Sequence, residues 1–215
     1  SADLRSGSGG ILQPRAPING VSTGYSDMKA TGSLDMLVVV FKPFGSGAFL
    51  NVPLNEFRNM SVSVADTGDR LLIELAQEVL DEMSDEKAVD TIEQFLISRL
   101  YKYEGYNFRP IEAAVNEISR DAGLSVISAA GVACLSPRQF NRIFAAQVGV
   151  RPKEFMRIVR FQRALYTLQF APDTNLAQLA AVSGYYDQAH MIKEFREFSG
   201  YTPLEYLNAC SPYSD

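Results

Sequence analysis

The second half of the sequence contains a motif of about 30 residues that occurs twice, with an offset of 51 residues. The first copy runs from Ile127 to Met156 and the second from Gln178 to Leu207. A repeat at this spacing indicates one supersecondary unit that is used twice, which strongly limits the folds available to the chain. In this register the matched positions are Ala129/Ala180, Ala130/Ala181, Phe144/Phe195, Gly149/Gly200, Pro152/Pro203, Glu154/Glu205 and the aromatic pair Phe155/Tyr206.

Each copy has the pattern of a helix-turn-helix. In the first, Ser136 is a predicted N-cap for a helix that ends at Gly149, and in the second, Asp187 and Gly200 have the same roles. A short alanine-rich helix and a tight turn are predicted before each of these helices. Small residues there allow two helices to cross closely, as this motif requires.

Length and composition set the wider limits. The chain has 215 residues, of which 47% are hydrophobic, so it can bury the core of one or two domains. No apolar run is long enough for a membrane span, and a cytoplasmic location is expected. The two cysteines, Cys134 and Cys210, have no nearby Cys or His at metal-ligand spacing, so we expect unpaired thiols and no metal or other cofactor.

The net charge of −5 is unevenly distributed. Residues 1–110 hold 15 acidic and 10 basic residues, whereas residues 111–215 hold ten of each. Within residues 136–163, seven basic residues stand against Glu154 alone. Because phosphate affinity depends on local clustering, the acidic first half does not argue against nucleic-acid binding.

The first half predicts a small α+β region. Strand signals lie within residues 18–50 and are strongest from Ser33 to Lys42, which is rich in β-branched residues. Two amphipathic helices are predicted to follow. The segment from Tyr103 to Pro110 interrupts the helical pattern. We therefore predict a mainly α protein with a partial β-strand and helical-pair domain over residues 1–107, and a double helix-turn-helix domain over residues 108–215.

A long helix is predicted to join the two copies, from Pro152 to about Gln169. At about 27 Å it could hold two recognition helices about one DNA turn, or 34 Å, apart. Arg157 and Arg160 lie on one face of this helix, with Lys153 on the same face and Arg163 beside it. This basic stripe is predicted to contact DNA phosphates; the alternative is that it pairs with the acidic first half.

The outward faces of the two predicted recognition helices carry side chains that suit base edges in a major groove. Arginine can bind guanine, and Asn or Gln can bind adenine, each through two hydrogen bonds. For a single copy, a solvated amphipathic face explains these residues equally well. Two copies beside a basic cluster favour DNA. The candidate residues are Arg138, Gln139, Asn141 and Arg142 in the first copy and Gln188, His190 and Lys193 in the second.

The residues from about 108 to 209 resemble the AraC/XylS family of bacterial transcription regulators. The resemblance is carried by SPRQFNRIF, GVRPKEFMRIVRFQRAL and GYYDQAHMIKEFREFSGYTPLEYL, in that order. It implies two helix-turn-helix subdomains, joined by a long helix, that bind successive major grooves. Carried onto this chain, the recognition residues are Arg138, Asn141 and Arg142, then Gln188, Ala189, His190 and Lys193. Ala189 departs toward an inert side chain, which predicts weaker base readout by the second copy.

The resemblance also implies wider expectations. The first half, through LVVVFKPFGSGAFLNVPLNEF, is similar to the tail of a sensor or dimerisation domain of some members. We expect a sequence-specific activator that binds double-stranded DNA, contacts RNA polymerase and can form a homodimer. The effector is not identified.

Two rival functions were weighed on the residues. An enzyme is disfavoured because His190 is the only histidine and no catalytic motif is present. His190 itself suits a structural position as well as a base contact. A protein-interaction module that keeps the helix-turn-helix fold without binding DNA is the alternative, because the second recognition helix carries Asp187, Glu194 and Glu197.

Overall fold

The computed structural model describes residues 4–6, 11–26, 28–30, 35–50, 54–81, 84–101 and 108–209. Their contacts form two compact units. The first contains most of the described residues up to Phe108, and the second contains most of those from Arg109 onwards. This arrangement is mainly helical with a small β-containing N-terminal part, which confirms the predicted fold class.

The first unit contains two small antiparallel sheets and two helices. Strand β1 pairs with β2 and β4, and β3 pairs with β5 so that Ile18 lies opposite Val62. The elements are β1 (Leu4–Ser6), β2 (Ile11–Leu12), β3 (Pro17–Asn19), β4 (Met28–Ala30), β5 (Ser61–Ser63), α1 (Arg70–Leu80) and α2 (Asp85–Tyr101).

The strand predicted from Ser33 to Lys42 is wrong for the part that the structure describes. Residues 35–42 have no regular secondary structure, and their apolar side chains are largely exposed, Val40 by 86%. Residues 33 and 34 lie outside the described ranges. A β-branched sequence favours a pleated, half-buried position but forms a strand only when a neighbouring strand pairs with it.

A buried ion pair joins α1 to α2. Asp69 caps α1 by accepting a hydrogen bond from the backbone N–H of Leu72, and Arg99 of α2 donates to both carboxylate oxygens at 2.6 Å. Arg99 also donates to the carbonyl oxygen of Phe49 at 2.8 Å. The hydrogen bonds from Arg99 lower the pKa of Asp69. This contact fixes the entry to the helical pair.

The second unit is entirely helical in its regular structure. In α3, the predicted apolar stripe is buried in full, and the predicted linker helix is α6, which continues without interruption for 19 residues, or about 28 Å. The helices are α3 (Arg109–Arg120), α4 (Val126–Val132), α5 (Pro137–Val148), α6 (Pro152–Phe170), α7 (Leu176–Ser183), α8 (Gln188–Ser199) and α9 (Pro203–Ala209). Of the helices in the described ranges, none has both the length and the apolarity that a membrane crossing requires.

The repeat is preserved in three dimensions. The ring of Phe144 meets that of Phe155 edge-on at 5.5 Å, and the equivalent rings of Phe195 and Tyr206 meet edge-on at 5.7 Å. Helix α6 takes part in both halves, because Phe155 lies near its start while Phe161 packs on Phe195 at 5.1 Å. The two copies are therefore one structural unit used twice.

The register of the repeat changes inside the motif. The caps of α5 and α8, Ser136 and Asp187, are 51 residues apart, but the caps of α4 and α7, Ser125 and Asn175, are 50 apart. The pairing of Ala129 with Ala180 and of Ala130 with Ala181 is thus wrong by one residue. The second copy has one additional residue in its turn.

Candidate nucleic-acid interface

The first recognition helix, α5, starts with a reciprocal capping arrangement. The Ser136 hydroxyl accepts from the backbone N–H of Gln139, and the side-chain oxygen of Gln139 accepts from the Ser136 backbone N–H at 3.3 Å and hydroxyl at 2.8 Å. This is a capping box, which satisfies otherwise unpaired groups at the helix start. Gln139 was predicted to bind a base, but here its side-chain oxygen stabilises the start of α5.

The other predicted residues of α5 are exposed. The Asn141 side-chain amide donates to the Pro137 carbonyl oxygen at 2.7 Å. Arg138 and Arg142 form no hydrogen bond or ion pair with any residue of the described ranges. Since they are four positions apart, they lie one turn from each other on the same face. Two unpaired guanidinium groups thus extend from the first turns of this helix.

The second recognition helix, α8, starts at Asp187, whose carboxylate accepts from the His190 backbone N–H at 2.7 Å. Gln188, Ala189 and Lys193 are exposed, as predicted. His190 is half-buried: its Nε2 lies 3.2 Å from Glu194 Oε1, and its ring meets the Tyr185 ring edge-on at 5.4 Å. These contacts favour the structural interpretation of His190.

Glu194 lies on the inner face of α8 and is held by two arginines of α6. Arg157 Nε donates to Glu194 Oε1 at 2.8 Å, and Arg160 donates to both carboxylate oxygens at 3.1 Å. Arg157 also pairs with Glu197. The Glu194 side chain is only 7% exposed. The cluster therefore cross-links the linker helix to the second recognition helix.

Aromatic rings cover this ion cluster. The Arg157 guanidinium lies 5.3 Å from the ring centroid of Phe198, and that of Arg160 lies 5.3 Å from the Tyr185 ring centroid. Burial opposes ionisation of Glu194, but the hydrogen bonds and charges of the two arginines outweigh it, so the pKa of Glu194 lies below its ordinary value. Burial also raises the pKa of Tyr185. Glu194 is thus a buried carboxylate held in its charged form.

These contacts correct the interpretation of the basic stripe on α6. Arg157 and Arg160 were predicted to contact DNA phosphates, yet carboxylates of α8 occupy both guanidinium groups. Arg163 is also engaged, since it donates to the backbone carbonyls of Ser119 and Arg120. The alternative partner, the acidic first half of the chain, is not what holds them either. The stripe is therefore structural.

The sequence analysis treated Glu194 as a surface charge and so missed its role. A signal was available: Glu194 follows Met191 by three positions and precedes Phe198 by four, which places it within the buried stripe of α8. A carboxylate at such a position requires a buried cationic partner. In the described ranges, no group of three or more His, Cys, Asp or Glu residues has an arrangement that could hold a metal ion.

The fold and this surface define a double helix-turn-helix domain. A family model described as a helix-turn-helix domain matches residues 129–209, and a model described as a domain of unknown function (DUF6597) matches residues 5–63. An uncharacterized HTH-type transcriptional regulator of Haemophilus influenzae is 33% identical over 82 residues. These are 38% of this chain and only 27% of that protein.

Similar solved structures include the DNA-binding domain of AdpA in complex with a target DNA, at 23% identity and a TM-score of 0.46, covering 49% of this chain and 98% of that one. An AraC-type regulator from Chromobacterium violaceum is 22% identical with a TM-score of 0.45, covering 49% and 95% of the two chains. ToxT from Vibrio cholerae is 17% identical with a TM-score of 0.45, covering 66% and 56%.

The family model and the Haemophilus match confirm the resemblance that the sequence motifs carry. Residues 129–209 form a helix-turn-helix domain of the AraC/XylS family of transcription regulators.

Proposed function

We propose that this protein is a sequence-specific DNA-binding transcription regulator that inserts α5 and α8 into successive major grooves. The observation that carries the proposal is the pair of exposed, unpaired guanidinium groups of Arg138 and Arg142 at the start of α5. Nearby arginines of α6 are occupied by carboxylates or carbonyls. The positive charge left available to DNA is therefore concentrated on a recognition helix.

The proposed base contacts are made by Arg138, Asn141 and Arg142 from α5 and by Gln188, His190 and Lys193 from α8, with Ala189 near the bases. Arg142 suits guanine, and Asn141 suits adenine once its amide leaves the Pro137 carbonyl. Gln139 retains a side-chain NH₂ group for a phosphate or base contact. Arg157 and Arg160 act indirectly, by fixing α8 on α6.

The proposed regulatory outcome is activation, through contact of the DNA-bound protein with RNA polymerase. A homodimer is also proposed, with the first unit as the candidate interface. A reporter gene placed downstream of a selected binding site tests the sign of regulation: activation predicts higher expression with the intact protein than with Arg142→Ala. A cytoplasmic location and the absence of enzymatic activity stay predictions.

The direct test is a titration of labelled duplexes selected from a random-sequence pool. If the protein neutralises six to ten phosphates, its affinity should fall by roughly three to five orders of magnitude between 50 and 200 mM salt. An unselected duplex of equal length should bind more weakly. Absence of binding, or an affinity that hardly changes with salt, would instead favour the protein-interaction module. Burial of Glu194 removes one of the acidic residues on which that alternative depends.

A further inference from the structure

The turn before the second recognition helix contains one residue that the first copy lacks. In both copies, the first helix of the motif ends with a backbone hydrogen bond across six residues: Leu135 donates to Ala130, and Tyr185 donates to Ala180. In the first copy, the cap of the next helix, Ser136, follows directly after Leu135. In the second, one residue separates Tyr185 from the cap. That additional residue is Tyr186.

Tyr186 has no packing role in the part of the chain that the structure describes. Its side chain is 94% exposed, whereas the neighbouring Tyr185 is 6% exposed and contacts both His190 and Arg160. None of the described residues forms a hydrogen bond or a ring contact with Tyr186. The adjacent tyrosines thus divide the work: one anchors the core and the other extends into solvent.

The position of Tyr186 is what gives this exposure meaning. It immediately precedes Asp187, the cap of α8, so it stands beside Gln188 and Ala189 at the N-terminal end of the helix. In helix-turn-helix proteins this end approaches the bases and the flanking backbone. A tyrosine is rigid, with an apolar ring and a hydroxyl group that can donate to a phosphate oxygen.

Resting on the proposed function, we propose that Tyr186 is a DNA-backbone contact of the second copy. Its hydroxyl group donates to a phosphate oxygen, and its ring packs against the adjacent deoxyribose. This contact fixes the entry of α8 into its groove and offsets the inert side chain of Ala189. Since it involves no base, it strengthens binding to all sequences.

The first experiment measures the affinity of Tyr186 variants for a selected duplex and for a random duplex of equal length. Tyr186→Phe should weaken binding to both by about two- to tenfold, the effect of one net hydrogen bond, and Tyr186→Ala should weaken both further. The salt dependence should not change, because a neutral hydroxyl group releases no counterion. Tyr201→Ala is the control, since Tyr201 is half-exposed beyond the opposite end of α8.

The second experiment uses the absence of tryptophan from the sequence. Tyr186→Trp and the control Tyr201→Trp each introduce a single fluorophore. Addition of duplex DNA should protect the fluorophore at position 186 from acrylamide quenching and leave the one at 201 unprotected. This readout reports contact directly, independently of any change in affinity.

The outcomes separate the two proposals. If the unmodified protein binds DNA, but Tyr186→Ala binds as tightly and the fluorophore at 186 stays accessible, the Tyr186 contact is overturned while the proposed function stands. A loss confined to the selected duplex would also overturn it, by indicating base readout. If the unmodified protein binds no duplex, both proposals fail together.

Discussion

Arg157 and Glu194 are 37 residues apart in the sequence, yet Arg157 Nε donates a 2.8 Å hydrogen bond to Glu194 Oε1. The bond ties the linker helix α6 to the inner face of α8. The position equivalent to Glu194 in the first copy is Ile143, an apolar residue of α5. The second recognition helix is therefore oriented by charge where the first uses hydrophobic packing.

We expect Glu194→Gln to lower the free energy of unfolding by about 3 kcal/mol, because it leaves two largely buried guanidinium groups without their carboxylate. Urea denaturation measures this loss. The matched control is Glu197→Gln, whose side chain is 45% exposed and should contribute less than about 1 kcal/mol. Equal effects of the two variants would contradict the structural role of Glu194.

The same cluster predicts a pH dependence of stability. The folded-state pKa of Glu194 lies below the ordinary value of 4.5, so the unfolded chain takes up the proton first as the pH falls. Its contribution is therefore complete above about pH 4.5 and is lost as the pH falls through the folded-state pKa. Asp69 and Glu205 also have lowered pKa values. The difference between the unmodified protein and Glu194→Gln, measured at several pH values, isolates Glu194; a difference that does not shrink in acid would contradict this prediction.

Arg142→Ala should reduce the affinity for a selected DNA site by about 1–3 kcal/mol and reduce the affinity for random DNA much less, because the residue is proposed to contact a base. Competition titrations with both duplexes measure the two losses. Arg120→Ala is a suitable control, since Arg120 is an exposed arginine of α3 already paired with Glu117. Equal losses on both duplexes would assign Arg142 to the phosphate backbone.

Arg157→Ala separates the structural interpretation from the original phosphate interpretation. We expect lower thermal stability and an unchanged dependence of DNA affinity on salt, since Glu194 and Glu197 already neutralise this guanidinium. Lys193→Ala, which removes an exposed charge from α8, is the comparison. Should Arg157→Ala reduce the logarithmic salt slope by about 0.9, a phosphate contact would be indicated.

The two turns of the repeated motif predict opposite effects of substitution. Cys134 has a left-handed backbone with φ of 54°, and its counterpart Gly184 has φ of 84°. Cys134→Gly should stabilise the protein by about 0.5–1 kcal/mol, since relief of left-handed strain exceeds the entropy cost of glycine. Gly184→Ala should destabilise it by about 1–2 kcal/mol, because the added Cβ would also lie 3.0 Å from Ala122 Cβ. Urea denaturation of both variants tests the pair, and a less stable Cys134→Gly would refute it.

The sequence was sufficient for the helices because their signals are local. Ser136 and Asp187 cap the helices that they were predicted to cap, and Gly149 and Gly200 have the left-handed backbone expected at the helix ends. The sequence was insufficient where a partner lies far along the chain. The periodicity of α6 places Arg157 and Arg160 on one face, but it cannot specify that this face meets Glu194.

The same reason explains the other errors. Residues 35–42 have strong β-propensity, and only a pairing partner could have made them a strand. The constant offset of 51 residues, taken from the better matched second helices, concealed Tyr186 as an additional residue. A comparison of hydrogen-bonded helix ends was needed to find it.

Helix α6 has a further consequence, because its opposite ends complete two separate hydrophobic interiors. Phe155 supplies an edge to Phe144, and Phe161, Ala164 and Leu168 belong to the interior around Phe195. Neither copy owns a full set of packing residues. The duplicated motif is thus not a portable module: a gene fragment cut anywhere within α6 would leave at least one copy with an open side, so duplication, recombination and engineering must treat the pair as indivisible.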